Sequence, residues 1–306
     1  MDLTCEERPS DSRFVERIWR SHTGGSAGDF ISMAETHCGI VLTRYQGKSA
    51  ITVRGPETRA TPAFAPADAE FIGIVFKAGV FMPHLPPTRV MDRNDMNLPE
   101  ATSQTFWLHG SAWQFPDYDN ADTFADWLAR DGLLARDPVV DAALEGQPID
   151  LSPRTLQRRF LEATGLTQTA MRQIERARSA TALLKQGVSI LDTVYQAGYY
   201  DQPHLTRSLK HYIGLTPAQI MDNGRSERLS FLYKTEPLLL DYDTHVRVTA
   251  KGDQDEQDRR RRVHLTGWHH GSAGKVELPL PERGSPDDSG RKHVPQRGYA
   301  AGAGNV

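Results

Sequence analysis

The spacing of apolar residues changes once along this chain, and the change divides it. Before about residue 119 the runs are short and rich in Ile, Val, Phe and Thr, at 29–35, 38–45, 49–54 and 71–76. Ile40 and Leu42, then Ile51 and Val53, alternate as half-buried strands require. Gln46-Gly47-Lys48 between two of these runs predicts a hairpin turn, because Gly supplies the positive φ that tight hairpins need. Prolines at 56, 62, 66, 83, 86, 87 and 99 exclude long helices here. A small β-barrel or sandwich is the economical prediction for residues 1–119.

From Asn120 the period becomes helical. Phe124, Ala125 and Leu128, with Trp127 and Leu133-Leu134 beyond, predict an amphipathic connecting helix within 120–136, ending near Ala135. Asp137-Pro138 opens a second helical block that extends to roughly residue 223, in a domain taken as 137–235. Past Pro237 apolar residues thin out: residues 251–306 hold nine glycines and two aromatics, Trp268 and Tyr299. So little apolar surface does not offset the entropy of ordering, and 236–306 is predicted to be a low-complexity, disordered tail. The charge run Arg259–Arg262 and His269-His270-Gly271-Ser272 fall within it, and the run is read as solvated.

The helical block contains an internal repeat. Thr155-Leu156-Gln157-Arg158-Arg159-Phe160 aligns with His204-Leu205-Thr206-Arg207-Ser208-Leu209, 49 residues later, and Gly165-Leu166-Thr167 aligns with Gly214-Leu215-Thr216. Ser152 before Pro153 and Asp201 before Gln202-Pro203 are N-caps. Leu156, Phe160 and Ala163 share one helical face; Leu205, Leu209 and Tyr212 do the same in the second copy. Arg154 and Arg158, or Arg207 and Lys210, stand opposite. Gly165 and Gly214 suit the left-handed position that closes a helix. Ser189-Ile190-Leu191-Asp192 is a capping box that opens a short helix stopping at Ala197-Gly198, and residues 138–145 are its counterpart in the first copy. Each unit is therefore helix, turn, and a second helix with outward arginines, the form that fits a DNA major groove. A connecting helix over 168–186, about 27 Å long at 1.5 Å rise per residue, would carry the two reading helices to adjacent groove turns.

Charge agrees with this division. The whole chain of 306 residues has a formal net charge of −3, but residues 1–150 carry −9 and residues 151–235 carry +6. A compact basic block suggests contact with a polyanion. No stretch approaches the ~18 apolar residues of a membrane span. Met1-Asp2-Leu3-Thr4-Cys5-Glu6 lacks the basic and apolar regions of a secretory signal, so a cytoplasmic location is expected. Two cysteines, Cys5 and Cys38, exclude a disulfide scaffold and a multi-cysteine zinc site.

Residues 152–165 and 173–217, above all Gly198-Tyr199-Tyr200-Asp201-Gln202-Pro203-His204-Leu205-Thr206-Arg207 and Gly214-Leu215-Thr216-Pro217, closely resemble the AraC/XylS family of transcriptional regulators. The resemblance covers about 85 residues. It implies an α+β multidomain protein, with a cupin-like β-barrel for effector binding or dimerisation ahead of an all-α double helix-turn-helix domain. Leu42-Thr43-Arg44-Tyr45, Val53-Arg54-Gly55-Pro56 and Phe106-Trp107-Leu108-His109-Gly110-Ser111 look similar to the N-terminal domain of an actinobacterial-type subgroup. Family base contacts map onto Arg154, Gln157 and Arg158 in the first unit, and onto Gln202, Pro203, His204 and Arg207 in the second. Arg can grip guanine and Gln adenine bidentately. Arg159, Arg172, Lys185 and Lys210 are expected to meet phosphates. The first unit's turn is long and carries a proline, and Pro203 donates no backbone hydrogen bond; both depart from the family pattern.

The expected partner is double-stranded promoter or operator DNA, with a small-molecule effector, a second copy of the chain and RNA polymerase as further possibilities. Trp107, Trp113, Phe115 and Tyr118 are the candidate effector pocket. His37, Cys38, His84 and His109 could be imagined as a metal set, but they lack a His-x-His pair with a following Glu. No metal, cofactor or catalytic residue is therefore expected, and no nucleophile elbow, phosphate loop or dinucleotide fingerprint occurs. The readings of other classes are a cupin-like small-molecule enzyme carrying a helical DNA-tethering domain, and a helical repeat that docks on protein.

Overall fold

A computed structural model of the chain describes residues 3–93 and 96–222; the 236–306 tail and the end of the 137–235 region lie outside the described residues. The chain begins with β1 (Leu3–Pro9), β2 (Val15–Thr23), β3 (Gly28–Ser32), β4 (Gly39–Tyr45), β5 (Lys48–Arg54), β6 (Thr61–Ala65), β7 (Glu70–Phe76) and β8 (Val80–Phe81). A single turn, α1 (Pro87–Val90), is all the helix that the proline-rich segment contains. It is followed by β9 (Glu100–Thr102), β10 (Thr105–Leu108) and β11 (Ser111–Gln114). The four runs read from alternation are β3, β4, β5 and β7, each within a few residues, and Gln46 and Gly47 have the positive φ of a hairpin turn.

Five strands form one antiparallel sheet in the order β1-β2-β7-β4-β5, and β3 pairs with β6 as a separate ribbon. In these pairings β1 and β5 are the edges of the large sheet. One face, carrying Ile18, Ile40, Leu42, Ile51, Val53, Ile72 and Ile74, packs into a core with Phe106, Phe124 and Leu128. On the strand pair β2–β7, Trp19 lies opposite Gly73. A Cβ on Gly73 would stand 2.0 Å from Trp19 Cε2, so glycine is what lets the indole lie flat across the strand.

The helix after Asn120 is α2 (Ala121–Arg130). It ends five residues before the position read from the sequence, because Gly132 takes φ +72° and the chain turns. Phe124, Ala125 and Leu128 are buried as expected, but Trp127 is exposed. Four residues later, β12 (Ala135–Arg136) pairs with β8. The chain leaving α2 is thus anchored on the β region and does not extend the helix.

The helical region comprises α3 (Pro138–Leu144), α4 (Pro153–Thr164), α5 (Gln168–Lys185), α6 (Ile190–Gln196), α7 (Gln202–Tyr212) and α8 (Pro217–Met221). Local chemistry sets the boundaries. Ser152 accepts from Thr155 N–H and Asp201 from His204 N–H. Gly165 and Gly214, at φ +73° and +86°, close the two repeated helices. Two helical cores result. One gathers Leu156, Phe160, Met171 and Ile174; the other gathers Ala180, Leu184, Leu205 and Leu209. α5 contributes to both.

The β region enters both helical cores. Ala34 packs in the first and Met33 in the second. Ala34 N–H donates to Tyr212 O at 2.8 Å, and Ala60 N–H to His211 O at 2.9 Å. Carbonyls at the C-terminal end of α7 thus receive donors from the β region, where a helix end would otherwise leave them unpaired.

Candidate nucleic-acid interface

The first helix-turn-helix unit is α3 and α4, and the second is α6 and α7. Asp137 fixes the first. Its side chain accepts from Val139 and Val140 N–H at the start of α3. It also receives two parallel hydrogen bonds, each 2.9 Å, from the guanidinium of Arg159 on α4. Such a fork ties the two helices together with both geometry and charge. Arg159, expected at phosphate, is thus held by Asp137 while its side chain stays partly exposed. The turn of this unit spans 145–152 against 197–201 in the second, the long proline-bearing turn read from the sequence.

Arg154, Gln157 and Arg158 are exposed on α4. The Arg158 side chain is 70% exposed, and Glu162 one turn on lies at 3.9 Å. On α7, Gln202, Pro203, Arg207 and Lys210 are exposed; Arg172 and Lys185 are exposed at opposite ends of α5. His204 differs from its expected role. Its ring packs edge-on against Tyr199, with centroids 5.1 Å apart, and is half-buried. Tyr199 in turn hydrogen-bonds Ser208 at 2.9 Å, and Arg176 lies 4.7 Å from its ring centre. His204 therefore helps seat α7 before it can reach a base.

Sequence reasoning overlooked Leu191, Tyr195 and Tyr200, which are 72%, 88% and 92% exposed beside α7. Leu191 and Tyr195 lie four residues apart on one face of α6. The signal was available: Tyr199-Tyr200 is a doublet of which only one ring can enter the core.

A family model described as a helix-turn-helix domain matches residues 148–223. This segment is an AraC-type helix-turn-helix domain. The AraC-type domain is also what the chain shares with curated proteins. Over 92 residues it is 32% identical to "Regulatory protein ada" of Salmonella typhimurium, covering 30% of this chain and 26% of that protein. Over 89 residues it is 33% identical to "Bifunctional transcriptional activator/DNA repair enzyme Ada" of Escherichia coli, covering 29% and 25%. The chain thus spans about a quarter of the length of these relatives. No solved structure matches it. Among the described residues no helix is long and apolar enough to cross a membrane.

Behind the AraC-type domain, where α5 meets the β region, lies a cluster of buried charge. Glu35 accepts from Arg178 of α5 at 2.9 Å and from His37 Nδ1 at 2.8 Å, with Arg17 at 3.6 Å. Thr36 donates to Glu175 of α5 at 2.6 Å. Burial alone would push the Glu35 carboxyl up, but Arg178, then His37 and Arg17, outweigh it and hold it well below the usual range. An acid with a depressed folded pKa contributes stability that is present above the unfolded value and lost as pH falls through the folded one. Urea unfolding between about pH 5 and pH 2 should therefore show a steeper loss of stability in the unmodified chain than in Glu35→Gln. Equal slopes would show that Glu35 is not the group responsible.

The histidines and aromatics weighed in the sequence fall into separate places. His84 and His109 pair with ring centroids 5.1 Å apart. His37 instead lies with Glu35 and Glu175, whose ligand atoms fall within 4.8 Å of one another. Arg178 and Arg17 already balance that trio, so the positive charge beside it is supplied by the protein. Cys38 is buried; burial, then Glu35, pushes its thiol up to about 12. It is expected to resist alkylation by iodoacetamide at pH 8 until the chain unfolds, read by mass spectrometry with and without urea. Labelling in the native chain at the rate of an exposed thiol would contradict this burial.

Among the described residues, Trp107 is not gathered with Trp113, Phe115 and Tyr118 about one space. Trp113 and Phe115 pack against Phe106 and Phe124, Tyr118 is buried, and Trp107 faces outward. A cavity does lie between the large sheet and the β3–β6 ribbon. It measures about 420 Å³, and Trp19, His37 and Arg178 are among its walls.

Proposed function

We propose that this chain is a cytoplasmic, sequence-specific DNA-binding transcriptional regulator whose β region, built on a cupin-like plan, responds to a small-molecule effector. The observation that carries the reading is the duplicated helix-turn-helix: two capped helices, each buried on its apolar face, with Arg158 and Arg207 exposed on the opposite side. The similar Ada proteins are named as a regulatory protein and a transcriptional activator, which supports the same class for this chain. Arg154, Gln157, Arg158, Gln202 and Arg207 read base edges, and Arg172, Lys185 and Lys210 meet phosphates. Exposed Tyr195 and Leu191 are available to a further partner, such as RNA polymerase or a second copy of the chain.

Selection of bound fragments from random duplexes tests the proposal, with a two-part site as the expected result. Arg158→Ala and Arg207→Ala should each lose about 1–3 kcal/mol of discrimination at one base pair. Lys210→Ala should weaken all duplexes alike and reduce the slope of log affinity against log salt by about one. If both arginine variants keep the unmodified base preferences, the assignment of reading residues fails.

A further inference from the structure

The cavity between the sheet and the β3–β6 ribbon has a consistent chemistry. Its volume of about 420 Å³ falls within the range of small-molecule sites, ~300–1,000 Å³. Trp19, Phe30, Phe64 and Phe71 supply flat aromatic walls. The formal charges on the walls are already answered in pairs. Arg178 holds Glu35 at 2.9 Å. Glu57 is buried against Arg54 and accepts from Ser32 Oγ at 3.0 Å. A charged guest would have to shed its water and find no free counter-ion, which is costly. An uncharged guest meets no such penalty.

One polar atom of the wall residues is buried without a partner among the described residues: Nε2 of His37, a residue only 6% exposed. Its Nδ1 faces Glu35 Oε1, and a carboxylate oxygen accepts only, so Nδ1 carries the hydrogen. Nε2 accepts when the ring is uncharged and donates when the ring is the cation beside Glu35.

The cavity is also connected to the reading helix. Ser32 and Met33 on its wall run directly into Ala34, which bonds the end of α7. Ile31 of the same ribbon stands where a side chain on Gly214 would be, 2.8 Å from that Cβ position. Arg178, another wall residue, bonds Glu35 just beyond this segment and belongs to α5, which contributes to both helical cores.

Resting on the effector-responsive reading above, we propose that this cavity binds an uncharged aromatic molecule of the phenol or indole class. Its occupancy shifts the β3–β6 ribbon against α7 and so changes DNA affinity. By linkage the ligand acts only as far as it prefers one arrangement of the ribbon and α7 over the other.

Calorimetry on the full chain with indole, indole-3-acetate and tryptamine separates neutral, anionic and cationic guests on one aromatic frame. Indole is expected to bind, with each charged analogue at least tenfold weaker. Val41→Trp, which fills the cavity from the sheet side, should abolish indole binding in a variant whose thermal unfolding still shows a folded chain. Thr43→Phe serves the same end if Val41→Trp does not fold. No indole binding at millimolar concentration, tighter binding of either charged analogue, or undiminished binding by a folded filled variant would overturn the site. Anisotropy with a selected duplex then reads the coupling, expected as at least a threefold change in DNA affinity at saturating indole. Unchanged DNA affinity with indole bound overturns the coupling. A chain that prefers no duplex sequence overturns the regulator reading instead, while the calorimetry still decides the site.

Discussion

Arg178→Ala is expected to be among the most damaging single changes in the chain, costing about 3–5 kcal/mol of stability, because it strips the principal cation from a buried carboxylate. Arg178 and Glu35 are mostly buried, and their contact at 2.9 Å links α5 to the β region. Arg17 and His37 remain near Glu35, which places the expected loss toward the lower end of that range. Urea unfolding monitored by circular dichroism gives the number. Arg178→Lys should recover only part of the loss, since a lysine ammonium on its different stem is not placed to reach both Glu35 and the Ala34 carbonyl as Nη1 does. A loss below about 1 kcal/mol would mean that Glu35 is adequately satisfied without α5.

Gly73→Ala is the second large effect. The methyl would fall 2.0 Å from the Trp19 indole on the neighbouring strand, inside any permitted contact. Trp19 is only 3% exposed, and its indole could yield only by moving into the cavity it lines. Overpacking of this kind costs about 1–3 kcal/mol and occasionally more. Removing the clash from the other side provides the control: Gly73→Ala combined with Trp19→Leu should be less destabilised than the two single losses added together, because the two residues share one contact. Strict additivity of the thermal or urea data would show that the residues do not meet.

What was legible in the sequence is what local chemistry determines. Ser152 and Asp201 start their helices with side chains three residues from their partners, and Gly165 and Gly214 end them by tolerating positive φ. A repeat of such signals survives without knowledge of the rest of the fold. The β strands were legible for a similar reason, since alternation at Ile40 and Leu42 reflects a sheet buried on one face. Contacts made across long separations were not. Arg159 read as a surface cation because Asp137, its partner, lies 22 residues away on another helix. Trp113 and Phe115 read as pocket walls, while the cavity beside the ribbon draws on β2, β4, β5 and the ribbon together. One clue was present in the pattern. Glu175 and Arg178 occupy the same helical stripe as Ile174, Ala177 and Leu184, and charge at an apolar register position signals a buried partner.

The bonds from Ala34 and Ala60 to the end of α7 limit how this chain can be recombined. A DNA-reading segment transplanted from a homologue at the natural-looking border before Asp137 would arrive without a surface matched to Ile31, Met33 and Ala60. Chimeras that exchange operator preference should tolerate the swap better when residues 30–36 and 56–60 travel with the helices. The unit of inheritance for specificity in this chain is therefore discontinuous in sequence.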